Sequence, residues 1–299
     1  MMGNPCISCG SSDTFTIFDA RRSLKSSVSA PVFSPTAHDF GIISPLRRCR
    51  ACGVIFAPAA AEEGARGLYA DSKDPLYVSQ APERCVTYRR VLFLLRRYLA
   101  QGAQMLDIGC SYGLLLKLAR QEGMKVNGVE LSRDAVKHCS DTEGLDVFCG
   151  EVEEAGFKAG YFDCVTALEV LEHLREPQRF IGTVREILKP GGILCLATPD
   201  TASLSAKMMG RRWWSYRQMH VCYFSKASIT AFLSRNGFSI IAILPYRKTF
   251  RISYIVGCLL RRQQKDMRAA GTPLSGLLSF FDLPLTMSFG DMLVIARRD

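Results

Sequence analysis

With 299 residues, 48% of them hydrophobic, the chain is long enough for a full-sized α/β domain with a smaller companion, and no stretch approaches the roughly 18 uncharged apolar residues of a membrane span. The N-terminus has no basic segment followed by an apolar run, so a cytoplasmic location is expected; eight of the 12 cysteines are scattered singly and read as reduced thiols rather than a disulfide framework. The formal net charge of +10 is uneven: between residues 203 and 269 thirteen bases face one acid, Asp266, which suits a solvated face or a surface for an anionic partner.

Residues 1–60 read as a zinc-ribbon-like module. Cys6 with Cys9, and Cys49 with Cys52, form two CxxC pairs, each followed by a glycine that permits the tight turn aiming two thiolates at one ion. Four thiolates suit a tetrahedral, structural Zn2+, because a catalytic zinc would keep a position open. Between the pairs, 21–45 is rich in Ser and Pro and lacks periodicity, so a loop is expected inside a ribbon whose strands lie near 15–18 and 54–56. Residues 61–100 hold a linker and then an amphipathic helix over 83–100. Val86, Leu92, Leu95 and Leu99 supply its apolar positions, and Arg89, Arg90, Arg96 and Arg97 its wet face.

From residue 101 to 299 the pattern is that of one α/β domain. Strands are expected at 103–109, 125–130, 145–149, 162–168, 192–198, 238–244 and 291–297, with helices at 114–122, 133–140, 176–188 and 225–236. Apolar, β-branched strands alternating with helices imply a mostly parallel sheet covered on both faces; the long connection before the last strand suits an antiparallel one. Residues 245–290 break the alternation and read as an insertion. Its apolar runs, 252–260 and 273–289, are too short to span a bilayer and suit buried lid helices or a peripheral membrane contact through 250–289.

The ligand loop is expected in MLDIGCSYG, residues 105–113. A buried strand stops at Gly109, a helical pattern starts after Gly113, and Asp107 supplies a carboxylate at the strand's carboxyl end, where open α/β sheets bind ligands. A dinucleotide site needs GxGxxG, whose third glycine allows close helix packing; a leucine follows Gly113 instead, so that fingerprint is absent. Asp107, Gly109, Ser111 and Gly113 do match the acidic-x-Gly-x-Gly-x-Gly loop of class I S-adenosylmethionine (SAM) methyltransferases, with Ser111 in place of the middle glycine. VNGVELS, ending its strand at Glu130, then GEVEEAGFKAGYFDCVTALEVLEHL and LKPGGILCLATPD follow in the family's order. Over about residues 100–240 the chain resembles the family that includes ubiquinone-biosynthesis-type O-methyltransferases and small-molecule and sugar methyltransferases.

That resemblance implies a Rossmann-like methyltransferase sheet with SAM as cofactor, held by Asp107, Gly109, Cys110, Ser111, Gly113, Glu130, Leu131, Glu151, Val152, Leu168 and Glu169. SAM offers an amino-acid end, a sulfonium and an adenosine, so its site needs close backbone approach, carboxylates and an apolar slot rather than a phosphate cradle. Glu130 is placed to accept both ribose hydroxyls. Glu151, with Glu153 and Glu154 beside it, is placed for the adenine amine, and Glu169 for the methionyl end. A hydroxyl acceptor also needs its proton removed. Of four histidines, His38 and His138 read as surface residues, whereas His173 in LEHL and His220 in WWSYRQMHVCYFS fall where the sheet's carboxyl edge meets an acceptor. Trp213, Trp214, Tyr216 and Tyr223 suit either an acceptor wall or packing. No Asn/Asp-Pro-Pro-aromatic string follows the fourth strand, where Ala167, Leu168 and Glu169 stand, which lowers the case for amino methylation of a nucleic-acid base. The expected acceptor is a small, anionic molecule methylated on a hydroxyl, such as a sugar or lipid-linked metabolite. The alternatives are a zinc-ribbon RNA methyltransferase and a non-catalytic zinc-binding interaction protein with a degenerate SAM fold.

Overall fold

The computed structural model describes residues 5–19, 45–58, 70, 73–217, 219–261 and 282–299. Near the N-terminus β1 (Thr14–Phe18), β2 (Leu46–Cys49) and β3 (Ile55–Phe56) form an antiparallel ribbon. Two helices follow, α1 (Pro75–Ser79), which the sequence reading leaves within a linker, and α2 (Ala81–Leu95). The alternating part then runs β4 (Gln104–Ile108), α3 (Leu114–Gln121), β5 (Lys125–Glu130), α4 (Arg133–Glu143), β6 (Val147–Cys149), β7 (Phe162–Leu168), α5 (Pro177–Ile187) and β8 (Leu188–Pro199). After it come α6 (Leu204–Met209), β9 (Cys222–Tyr223), α7 (Lys226–Arg235), β10 (Phe238–Arg251), α8 (Ile252–Arg261) and β11 (Pro284–Arg298).

Seven strands form one sheet in the order β10-β11-β8-β7-β4-β5-β6. The inner pairs are parallel, and β11 runs antiparallel to both β8 and β10, as expected of the last strand. Period-two alternation sends Leu106, Val165, Leu194 and Val294 to one face, under Phe180, Ile181 and Val184 of α5 and Ile229, Phe232 and Leu233 of α7. Met105, Cys164, Ile193 and Ile295 point to the other, under Val91, Leu92 and Leu95 of α2 and Leu115, Leu118 and Ala119 of α3. Both faces are dry, which is why these strands read as near-continuous apolar runs.

Two features differ from the sequence reading. β10 continues past 244 to Arg251 and β11 begins at Pro284, so the ends of the 245–290 insertion extend the sheet as a paired ribbon, with Arg247 opposite Ser288 and Arg251 opposite Pro284. Pro245 tolerates this because a register shift falls beside it, between Pro245 and Arg247. The apolar run from 252 forms α8, and most of the run 273–289 lies outside the described residues. Among the described residues no helix is long and apolar enough to cross a membrane. Secondly, the ribbon takes a fourth strand from the far part of the chain: β3 pairs with β9, Ile55 opposite Tyr223 and Phe56 opposite Cys222. Cys6, Cys49, Val54 and Phe56 share one buried cluster with α5 and α7.

Candidate functional site

The loop after β4 is shaped by two glycines in the left-handed region. Gly109 has φ 72°, and a Cβ there would stand 2.6 Å from Val170 Cγ2; Gly113 has φ 73°, and its Cβ would stand 2.5 Å from Leu145 Cδ1. A side chain at either position would be strained by the left-handed backbone and would have to push these neighbours aside. Ser111, where the family's pattern has glycine, takes the same hand with φ 48°, at a cost of about 1–2 kcal/mol. The backbone amide of Ser111 donates to Glu130 Oε2 at 2.8 Å, and the amide of Ser132 donates to Glu130 Oε1 at 2.8 Å. One carboxylate at the end of β5 thereby fixes the loop's hand and keeps lone pairs for a ligand. Burial pushes the Glu130 carboxyl up, against the pull of those amides.

Asp107 is buried at the carboxyl end of β4 and accepts from Thr166 Oγ1 at 2.6 Å. Burial, with the Glu130 charge adding to it, pushes its pKa up to about 7. Cys110 turns its side chain into a small cluster with Leu116, Cys139 and Leu145, so only its backbone is offered to the loop. Leu131 is half-buried beside Glu130. Glu151 caps a short 3-10 turn, Val152–Glu154, in a reciprocal box with Glu154, and Val152 is buried beneath it. Leu168 packs on the α2 face of the sheet. Glu169 takes φ 60°, and its Oε1 accepts from Lys248 Nζ at 2.6 Å. The same ammonium meets Asp291 Oδ2 at 2.7 Å. Burial would raise the Glu169 carboxyl, but Lys248 outweighs it and holds the group below its usual range.

Several partners of this site carry no signal in the sequence reading. Tyr112 donates its hydroxyl to Asp134 Oδ2 at 2.9 Å and accepts from the Asp74 amide at 3.1 Å, which ties the start of α1 over the ligand loop. His138, read as a surface residue, sets its ring 5.3 Å from that of Tyr112. Arg84 lies 4.1 Å over the Tyr77 ring, and Tyr77 and Tyr88 share a hydroxyl contact of 3.2 Å. Only the hydrophobic period of α2 marks this region in advance. Lys248 and Asp291 sit in the segments that extend the sheet, so nothing local pairs them with Glu169.

His173 and His220 meet edge to face, ring centroids 4.7 Å apart. Nδ1 of His173 faces the Met219 carbonyl at 3.0 Å, and Nδ1 of His220 faces that of Ser215 at 2.8 Å. A carbonyl can only accept, so each Nδ1 carries the hydrogen and each Nε2 carries the ring's lone pair. Burial lowers the His173 pKa to about 4, and burial with His173 and Arg217 beside it holds His220 well below its usual value. Both rings are neutral at neutral pH. Trp213, Tyr216 and Tyr223 are buried in a cluster with Leu46 and Ile55 of the ribbon, so they pack rather than line an open wall.

In the ribbon, Cys6 Sγ lies 3.5 Å from Cys52 Sγ and Cys9 Sγ 3.6 Å from Cys49 Sγ, and all four sulfurs are within 4.8 Å of one another. A tetrahedral Zn2+ with Zn–S near 2.3 Å needs S···S of about 3.8 Å, so the donor set fits. Among the thirteen bases of 203–269, Lys248 and Arg251 turn to acids, Arg251 to Glu83 at 2.8 Å and to Asp282 at 3.6 Å. Arg262, Lys265 and Arg268 lie outside the described residues, as does His38.

Comparison with known proteins agrees with this geometry. A family model described as a methyltransferase domain matches residues 77–243. A ubiquinone biosynthesis O-methyltransferase of Coxiella burnetii is 32% identical over 114 residues, 36% of this chain and 49% of that protein. One of Xanthomonas campestris is 34% identical over 125 residues, 40% of this chain and 52% of that protein. The chain thus spans about half the length of these relatives. Among solved structures, a chain from a complex between the Haloferax volcanii Trm112 methyltransferase activator and a methyltransferase superposes with TM-score 0.51 at 17% identity, covering 75% of this chain and 96% of that one. At that identity the likeness is one of fold.

Proposed function

The chain belongs to the class I SAM-dependent methyltransferase family, and from that membership we propose that it transfers a methyl group from SAM to a hydroxyl of a small, negatively charged acceptor. The observation that carries the donor half is the Glu130 carboxylate, gripped by two amides at the end of β5 beside a loop whose left-handed turns at Gly109 and Gly113 favour glycine. SAM, when bound, supplies a methyl group already activated on a sulfonium. Glu130 would take the ribose hydroxyls, Glu151 and Val152 the adenine edge, and the backbone from Gly109 to Gly113 the amino-acid end with Asp107. Leu168 and Glu169 close the methionyl side. The chain's remaining task is to hold an oxygen in line with the methyl in a dry pocket and to take its proton.

For the acceptor half, His173 and His220 offer neutral rings with Nε2 lone pairs, and Arg84, Arg217 and Lys248 surround Glu169 with positive charge. Neutral rings accept a proton or a ligand, whereas protonated ones would do neither. The cationic surroundings favour an acceptor bearing carboxylate or phosphate. Lys248 and Arg251 are engaged internally, which leaves less of the 203–269 charge for the long phosphate track of an RNA. The cysteine cluster would hold one Zn2+ as a structural ion.

Calorimetry with SAM tests the donor half: the folded protein binds SAM, and Glu130→Ala weakens binding without unfolding the domain. Transfer of labelled methyl from SAM onto fractions of a cell extract tests the acceptor half, with label expected in anionic small molecules. Label recovered only in RNA would select the nucleic-acid alternative, and folded protein that binds no SAM would remove the enzyme.

A further inference from the structure

A groove of about 340 Å3 lies between α2 and β10, the outermost strand of the sheet, and it shares no residue with the loop proposed for the methyl donor, the histidine pair or the four-cysteine cluster. Its place follows from the strand. The register shift between Pro245 and Arg247 bends β10 there, and a straight helix laid across a bend leaves a gap. Tyr246 lines the groove with its ring 5.7 Å from Lys248 Nζ, so the cavity neighbours that ammonium without including it.

The interior is apolar. Val91 and Leu94 of α2, Leu244 of β10 and Leu293 of β11 line it together with Tyr246. The Thr87 hydroxyl, also in the lining, is already engaged: it accepts from the Thr249 amide at 3.0 Å and donates to the Glu83 carbonyl at 3.2 Å. An occupant therefore gains chiefly by burying hydrocarbon. Phe93, 60% exposed on α2, borders the same groove and extends its apolar surface outward.

The charge on the rim has one sign. Arg90 comes from α2 and Arg247 from β10, both exposed, and no acid lines the groove. Among the described residues neither guanidinium stands within ion-pair distance of an acid. Arginine stems cover apolar walls while their heads reach water, so the pair suits a ligand with a buried tail and an anionic end at the mouth. At about 30 Å3 for each group of water's size, the volume holds roughly ten methylene-sized groups.

We propose that this groove binds a medium-chain aliphatic carboxylate, its chain between α2 and β10 and its carboxylate against Arg90 and Arg247. The site is independent of the methyl-transfer reading, because none of its lining residues is assigned a part in that reaction.

Decanoate is the probe, titrated into the full chain below its micelle-forming concentration and followed by calorimetry. One decanoate per chain is expected to bind at submillimolar concentration. Decyltrimethylammonium, a cation with the same chain, and acetate, an anion without it, should each bind about tenfold more weakly or worse. Arg90→Gln combined with Arg247→Gln should weaken decanoate roughly tenfold and leave the urea midpoint in place, since neither side chain is buried. Leu94→Trp fills the groove and should remove binding; where it also disturbs folding, the arginine variant alone decides. No saturable binding up to millimolar decanoate, equal binding of the cation, or unchanged binding in the arginine variant overturns the proposal. Dimers in sedimentation that Phe93→Ser dissociates, with no decanoate bound, would assign the groove to a second copy of the chain and overturn it as well.

Discussion

Lys248 joins the two ends of the sheet's extension to the donor site, and replacing it with methionine tests how that region is held. Its ammonium lies 2.6 Å from Glu169 and 2.7 Å from Asp291; its side chain is 18% exposed, against 39% for Glu169 and 6% for Asp291. Lys248→Met keeps the aliphatic stem and leaves two carboxylates without their cation. Orphaning the buried one costs about 3–5 kcal/mol, whereas the Glu169 contact, more than a third exposed, is screened and adds less than about 1 kcal/mol. Asp291 therefore dominates, and a loss of roughly 4 kcal/mol is expected from a domain whose whole stability is of order 5–15 kcal/mol. Urea unfolding near neutral pH measures it, and Lys248→Met with Asp291→Asn should recover most of the loss. The pH dependence has a definite sign. In the wild type the depressed Glu169 carboxyl contributes stability that is present above its ordinary pKa and lost as pH falls through its lower folded value. In the variant the Glu169 carboxyl loses the largest charge that lowers it, so that contribution shrinks and the deficit is greatest where the carboxyl is ionised. The gap between the two proteins should narrow on acidification. A loss below about 1 kcal/mol, or a gap that widens towards acid, would refute the claim that Lys248 supports a buried acid at Asp291.

Glu130→Ala removes the acceptor of two backbone amides as well as the ribose contact proposed for it, so SAM affinity should fall by about 2–4 kcal/mol in calorimetry and stability by about 1–2 kcal/mol in urea. Ser111→Gly relieves a left-handed serine but frees the unfolded chain, so a gain of up to about 1 kcal/mol is expected, with SAM binding retained; a clear loss would contradict the strain at φ 48°. Cys49→Ser should cost the bound zinc, measured as metal per chain, and an unchanged metal content would sink the four-cysteine site. Asp107, whose pKa is raised to about 7 by burial, contributes stability that is full below its ordinary 3.8 and lost as pH rises through about 7. Binding of cationic SAM near neutral pH should therefore release protons, seen as a calorimetric heat that varies with the buffer's ionisation enthalpy and vanishes in Asp107→Asn.

The shape of the loop proposed to hold the donor is legible because its signals are local. Strand period, glycines at 109 and 113 and an acid at the next strand's end all fall within thirty residues, and the backbone dihedrals explain why glycine stands where it does. Ser111 broke the pattern, and the structure shows the reason it can: the Glu130 carboxylate holds its amide. The antiparallel last strand was also readable, from the long connection before it. What escaped was non-local. Strand β9 is two residues long and exists only because β3 needs a partner, and no window of sequence contains both. Lys248 and Asp291 pair across the hairpin of β10 and β11, whose extension is masked by Pro245 and by the mixed polarity of the residues after it. Glu172, buried beside His173, also escaped, since burial of an acid cannot be read from its neighbours along the chain.

The two halves of the candidate site are consequently rigid for different reasons. The proposed donor half is cut into the sheet itself: Asp107 and Glu130 end neighbouring parallel strands, and the loop after Asp107 is pinned where the Ser111 amide donates to Glu130. The proposed acceptor half hangs on the segment that carries His220, which is held from two sides. The Val221 amide donates to the Glu172 carbonyl and the His173 ring meets the Met219 carbonyl, while from the ribbon the Ala57 amide donates to the Val221 carbonyl at 2.9 Å and β3 pairs with β9. The ribbon's own core is too small to persist without the ion that its cysteines are spaced to hold. Metal loss in Cys49→Ser should therefore loosen the histidine segment first and leave SAM affinity unchanged within about threefold, a split that an independently folded ribbon would not produce.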